Sequence, residues 1–143
     1  MPVMERVMIR PAEATERDAV QRLWEASGLS RAAIDEWDAL IGGATTAVLV
    51  ADDGNGLVGA AIATFDGWRA YIYHLAVAER ARRQGIGASL MGSVEQYLMG
   101  AGARYVYVMV TEGNTEGLAL VGSLGYLPEG DMVLVKQLAT THH

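Results

Sequence analysis

The stretch "RARRQGIGASLM", residues 80–91, sets Arg80, Arg82 and Arg83 beside Gln84 and two glycines, in a chain whose formal charge is -6. Those residue types at that spacing suit one chemistry. Gly85 and Gly87 let the main chain turn sharply and come close to a bulky group. Arg82 and Arg83 add mobile positive charge and forked donors at the rim. A helix starting near Ile86 offers unpaired backbone N–H groups and about half a positive charge. Together these make a cradle for a diphosphate. A P-loop would need G-x-x-x-x-G-K-[ST], and no lysine lies nearby. A dinucleotide fingerprint would need a third glycine where Leu90 stands, and a parallel βαβ unit early in the chain. The form that remains is [QR]-x-x-G-x-[GA], met by Arg82, Gly85 and Gly87. By itself that hexapeptide reads equally well as a solvated turn with incidental arginines.

The whole chain limits what such a cradle could serve. Its 143 residues fit one domain with a sizeable core, residues 1–143, with 139–143 as a tail. With 11 basic and 17 acidic side chains it is not built for nucleic acid or an anionic membrane, and its charge is compatible with a cationic substrate. The absence of cysteine excludes disulfides, thiolate nucleophiles and Cys-ligated zinc. The histidines are His74 and the terminal His142 and His143, a pair that reads as native or as the stub of a tag; no metal site is expected. No apolar run reaches the ~18 residues of a membrane span. A soluble, cytoplasmic domain is the expectation.

The elements that must position the cradle follow from periodicity. "VMIRPA" reads as a first strand, and "TERD" offers a cap-like pattern at Thr15 for a helix with Val20, Leu23 and Trp24 on one stripe. A second helix puts Ile34, Trp37 and Ile41 on one side and ends at Gly42 and Gly43. "TAVLVA", "LVGAAIATF" and "RAYIYHLAV" form a three-stranded antiparallel meander, with Asp66-Gly67 as a hairpin signal. Ile86, Leu90, Val94 and Leu98 give the next helix a buried face, and "GAGA" ends it. "RYVYVMV" predicts a strand, "NTEGLALVGSLG" a helix capped by Asn114 or Thr115, and "MVLVKQL" a closing strand. The expected order is β-α-α-β-β-β-α-β-α-β, an α/β (mixed α+β) domain.

At this point the sequence resembles the GNAT superfamily of acetyl-CoA-dependent N-acetyltransferases. The likeness is centred on "YHLAVAERARRQGIGASLM", followed by "VMVTEGN" and "LVGSLGY", and runs over nearly the whole chain. It is strongest toward small bacterial members with comparable "LWE" and "DGWR"-like segments. The resemblance implies a mostly antiparallel mixed sheet splayed between strands 4 and 5 and flanked by about four helices. It implies acetyl-CoA as the cofactor. Leu75, Ala76 and Val77 would pair through their backbone with the pantetheine arm. The amides of Arg82, Arg83, Gln84, Gly85, Ile86, Gly87 and Ala88 would hold the pyrophosphate, and Asn114 would touch the arm. The partner would be a small-molecule or peptide amine, with homodimerisation an expectation of the resemblance alone.

Transfer needs a neutral amine, although an alkyl ammonium has pKa ~10.4. A base, a water relay or desolvation must therefore act on it, and a fixed N–H on the splayed fourth strand would steady the developing oxyanion. Candidate catalytic residues are Glu112, which reads as a base or a solvated loop carboxylate, and His74 and Tyr73 on the fourth strand. His74 would relay a proton or simply fill the core. Many relatives protonate the leaving thiolate with a tyrosine at the position held here by Val121, and Gly117 replaces a usual alanine nearby. Tyr73, Tyr107, Tyr126 or water would substitute; otherwise catalysis has decayed to a coenzyme A-binding regulatory module. Asp35, Glu36 and Asp38 around Trp37 read either as an acceptor-recruiting patch or as an exposed helix face.

Overall fold

The computed structural model describes residues 7–139; the terminal His142 and His143 lie outside that range. Four antiparallel strands form one ribbon in chain order: β1 (Met8–Pro11), β2 (Thr46–Asp52), β3 (Leu57–Phe65) and β4 (Ala70–Val77). A fifth, β5 (Val106–Val108), joins β4 in parallel. Parallel neighbours need a long crossover, and α3 (Ile86–Ala101) provides it. The other helices are α1 (Arg17–Ala26), α2 (Ile34–Gly42) and α4 (Thr115–Ser123).

The period of two along β3 sorts the core into two layers. Ala60 and Ile62 face Trp24 of α1 and Trp37 of α2, while Ala61 and Ala63 face Leu90, Met91, Val94 and Leu98 of α3. Alanine at three of these four central positions lets both helical layers come close to the sheet. Ile86, Leu90, Val94 and Leu98 are all buried, as their four-residue spacing predicts, and α3 stops at Gly102 with φ 107°.

Three expectations need correction. Thr15 caps nothing: a short 3-10 turn (Ala14–Glu16) precedes α1, and the Glu13 amide donates to Glu16 Oε1 at 2.8 Å. A carboxylate three residues along does that work instead of the hydroxyl. On α2 the stripe centres on Trp37, with Leu40 and Ile41 against the same cluster, and this leaves Ile34 exposed. "MVLVKQL" makes no ladder, so the sheet has five strands among the described residues. β-propensity becomes a strand only against a neighbour, and this segment meets none.

Two irregularities shape the region next to the cradle. Ala60 pairs with Ala76 and Ile62 with Tyr73, so Ala61 opposes both His74 and Leu75. This is a β-bulge, and His74 carries it in a left-handed conformation, φ 53°. Second, β5 pairs with β4 only at Ala70, Tyr71 and Ile72. From Tyr73 to Val77 the fourth strand has no neighbour on that side among the described residues, so the sheet is splayed there.

Candidate active site

The splay opens a cavity of about 1160 Å³. Leu75, Ala76 and Val77 form its β4 wall; Arg82, Arg83, Gly85, Ile86, Gly87 and Ala88 form its floor; Asn114 lies opposite at the start of α4. The sequence therefore brings three separate segments around one space. Gln84 is half-buried and lines neither this cavity nor the smaller one beside it.

The floor is shaped by backbone conformation. Arg83 (φ 66°) and Gly85 (φ 78°) are both left-handed, and this turns the chain into α3. The Arg82 amide donates to the Glu79 carbonyl at 3.2 Å, and helical pairing begins with Ser89 donating to Gly85 at 3.0 Å. Between them, from Arg83 to Ala88, no amide has a protein acceptor among the described residues. A Cβ on Gly87 would lie 2.9 Å from Leu120 Cδ2 and 3.6 Å from Val77 Cγ2, so only a hydrogen leaves the passage between β4 and α4 clear.

The three arginines separate. Arg80 forms an ion pair with Asp53 at 2.8 Å and is not part of the lining. Arg83 is exposed at the rim. Arg82 is exposed too, and its Nε donates to the Val77 carbonyl at 3.3 Å, folding the guanidinium onto the free edge of β4.

A second cavity of about 40 Å³ runs through the splay, lined by Tyr73 and His74 on one side and Met91, Val108 and Val121 on the other. Both cavities include Leu29, Leu75, Thr111, Asn114 and Gly117 in their walls, so the smaller adjoins the larger along the splay. His74 Nε2 lies 3.2 Å from both the Ser30 carbonyl and the Ser30 hydroxyl. The tautomer protonated at Nε2 donates to that carbonyl and leaves Nδ1 with a free lone pair. Burial lowers the His74 pKa, partly offset by the bond to Ser30, so the ring is neutral at pH 7. Burial raises the Tyr73 pKa, so its phenol stays protonated. The bulge is held from behind: Trp24 Nε1 donates to the His74 carbonyl at 2.9 Å, and the two rings meet edge to face.

The other candidates lie elsewhere. Glu112 is exposed and lines neither cavity. Tyr126 donates its hydroxyl to Glu95 on α3, and burial followed by that carboxylate raises its pKa. Tyr107 stacks on Tyr71 and under Arg69. Asp35, Glu36 and Asp38 are exposed outside both cavities, with Glu36 accepting from the Ala33 amide at 2.7 Å. Val121 is buried in the α3 layer. Sequence reasoning missed Thr111, Thr115, Glu116 and Leu120 on the β5–α4 side and Ser27 and Leu29 after α1. The signal for the first group was their closeness to Asn114; the second had none. No group of three or more potential metal ligands and no membrane-length apolar helix occurs among the described residues.

The model of the Acetyltransferase (GNAT) family matches residues 11–126. No curated protein sequence matches the chain. Among solved structures, an aminoglycoside acetyltransferase, meta-AAC0020, from an uncultured soil metagenomic sample and in complex with sisomicin, is 23% identical. The match covers 98% of this chain and 99% of that one, with a TM-score of 0.75. AAC(6')-Iy, in complex with the bisubstrate analogue CoA-S-monomethyl-acetylneamine, is 14% identical over 93% of this chain and 99% of its own, TM-score 0.78. A transcriptional regulator from Bacillus halodurans C-125 is 16% identical over 92% and 99%, TM-score 0.80. At these identities the likeness is one of fold. The family match, in contrast, takes in every element from the end of β1 to the end of α4, cradle and splay included, and the chain belongs to the GNAT acetyltransferase family.

Proposed function

We propose that this chain moves an acetyl group from acetyl-CoA to a primary amine by direct attack in a ternary complex. The observation that carries the proposal is the run of unpaired amides from Arg83 to Ala88 at the floor of a cavity of about 1160 Å³. N–H groups without protein acceptors at the start of a helix favour an anion, and two linked phosphates would engage several at once. The clear passage at Gly87 and the unpaired edge of β4 fit the rest of coenzyme A. Bound there, the cofactor supplies an activated acyl carbonyl with a thiolate leaving group.

The chain's own groups would do the following. The bared main chain of Leu75, Ala76 and Val77 orients the arm as an added strand would. For this the Arg82 guanidinium must leave the Val77 carbonyl, and it then becomes available to a phosphate. Nδ1 of His74 accepts the proton that the attacking nitrogen loses as the C–N bond forms and the C–S bond breaks. Tyr73, protonated and at the same passage, returns a proton to the thiolate in place of the phenol absent at Val121. Glu112, exposed and outside the lining, would act only through water. The acceptor enters on the Leu29, Tyr73 and His74 side. Because structural neighbours carry an aminoglycoside or an acetylneamine conjugate, amino sugars head the panel to be tried.

Val121 favours a second reading, a coenzyme A-binding module without turnover, and one neighbour is described as a transcriptional regulator. Thiol release separates the two, since the chain contributes no cysteine background. Acetyl-CoA binding with thiol release on one or more amines supports the enzyme. Binding without release across a broad amine panel supports the module, and no binding removes both.

A further inference from the structure

Packing alone does not account for Gln21. It is 1% exposed and is the buried polar side chain among the described residues, set on the hidden face of α1 with Val20, Leu23 and Trp24. Its Oε1 accepts from the Ala32 amide at 3.0 Å, while its Nε2 is buried without a partner. A half-satisfied amide serves a core less well than an apolar side chain of the same size. The position must therefore gain something from the oxygen.

What the oxygen holds is the connection between α1 and α2. Both polar groups of Ala32 are taken by α1, the N–H by Gln21 and the carbonyl by Arg17 Nη2 at 2.9 Å. Arg17 stands one turn before Gln21 on the same face, and its Nε is also buried without a partner. The ion pair of Arg31 with Glu25, 3.1 Å long, is open to solvent at both ends and adds little. At the other end of the connection, the Leu29 amide donates to the Trp24 carbonyl at 2.8 Å. Ser30 lies between these two anchors, with its carbonyl and hydroxyl each 3.2 Å from His74 Nε2.

We infer that Gln21 is a positioning residue for His74: by fixing Ala32 it keeps the Ser30 carbonyl on Nε2 and so holds the ring in the tautomer whose Nδ1 is bare. Helix α1 then sets the histidine twice, its backbone through Trp24 and its ring through Gln21. The effect on rate rests on the proposed role of His74 as base; the tautomer is a property of the chain alone.

The first measurement therefore needs no cofactor. Imidazole nitrogen resonances of the labelled full chain at neutral pH, assigned with His74→Gln, give the tautomer ratio of His74. The parent should lie almost wholly in the Nε2-protonated form. Gln21→Met keeps the volume and removes the acceptor, and should bring the ratio to that of N-acetylhistidine in the same buffer. Arg17→Met should move it the same way from a less buried position, which keeps the test decisive if Gln21→Met folds poorly. Gln21→Glu retains an oxygen for Ala32 beside Arg17 and should restore the parent ratio. With an amine that the chain acetylates, Gln21→Met should lower kcat on the order of 10-fold, part of the ~10²–10⁴ that a positioned base supplies, and leave acetyl-CoA affinity unchanged. A parent ratio equal to that of the free ring, or one ratio shared by the parent and both methionine variants, overturns the inference. The expected ratios without transfer to any amine uphold the positioning of the ring and remove only its role as base.

Discussion

Gly87→Glu gives the cradle its sharpest test. The new Cβ would come 2.9 Å from Leu120 Cδ2. That atom is the end of a flexible side chain, so a rotamer change accommodates it, and Gly87 has no left-handed φ for a side chain to strain. Glutamate is also a better helix former than glycine by up to about 1 kcal/mol. The fold should therefore survive with little change in melting temperature. The carboxylate, however, enters the passage between Val77 and Leu120, beside the amides proposed to meet the phosphates. Two like charges 4 Å apart at an effective dielectric of 20 repel by about 4 kcal/mol; solvent at the open rim reduces this to about 2–3 kcal/mol. Acetyl-CoA affinity should fall about 30–150-fold, most steeply at low salt. Titration calorimetry on the parent, on Gly87→Glu and on Gln96→Glu provides the comparison, the last adding the same charge to an exposed position of the same helix. An affinity within twofold of the parent for Gly87→Glu, with the fold intact, would refute the cradle.

Four further outcomes follow from the structure. If His74 is the base, the rate of transfer should hold at neutral pH and fall on acidification below the ordinary histidine range, because burial keeps the ring neutral to lower pH; His74→Gln should lower the plateau and remove that limb. The same depressed pKa contributes stability that is present above about pH 6.5, the unfolded value, and lost as pH falls through the folded one, so chemical denaturation of His74→Gln should show a flatter acid dependence. Trp24→Phe removes the indole donor to the His74 carbonyl and should destabilise the fold by about 1 kcal/mol while lowering kcat more than it changes acetyl-CoA affinity. Leu90→Ala opens a hole in the fully buried α3 face and should cost about 2–5 kcal/mol in denaturant titrations.

The turn from Arg82 into α3 was legible because its causes are local: glycines and a helix start are adjacent in the chain, and the apolar spacing of α3 gave its direction. Asn114 was legible for the same reason, as a cap whose side chain accepts from the Gly117 amide at 2.9 Å. The bulge was not. A left-handed backbone usually announces itself with glycine, and here a histidine holds that conformation because Trp24, Ser30 and the splay constrain it from outside. The pairing of Arg80 was not legible either, because its partner Asp53 is 27 residues away in the chain. The closing strand was overread for the opposite reason, since its residues specify a strand and only a neighbour makes one.

The tie between Trp24 and His74 has a consequence for how the two sides of the gap respond to each other. The indole that anchors the bulge belongs to α1, and Ser27, Leu29 and Ser30, which follow that helix, reach the passage or the imidazole. The aperture is thus set as much by a helix 50 residues upstream as by the strands that bound it. A shift of α1 by a fraction of an ångström widens or narrows the throat, so under the proposed function substitutions on its hidden face should retune acceptor choice without touching a single atom of the turn proposed to bind phosphate.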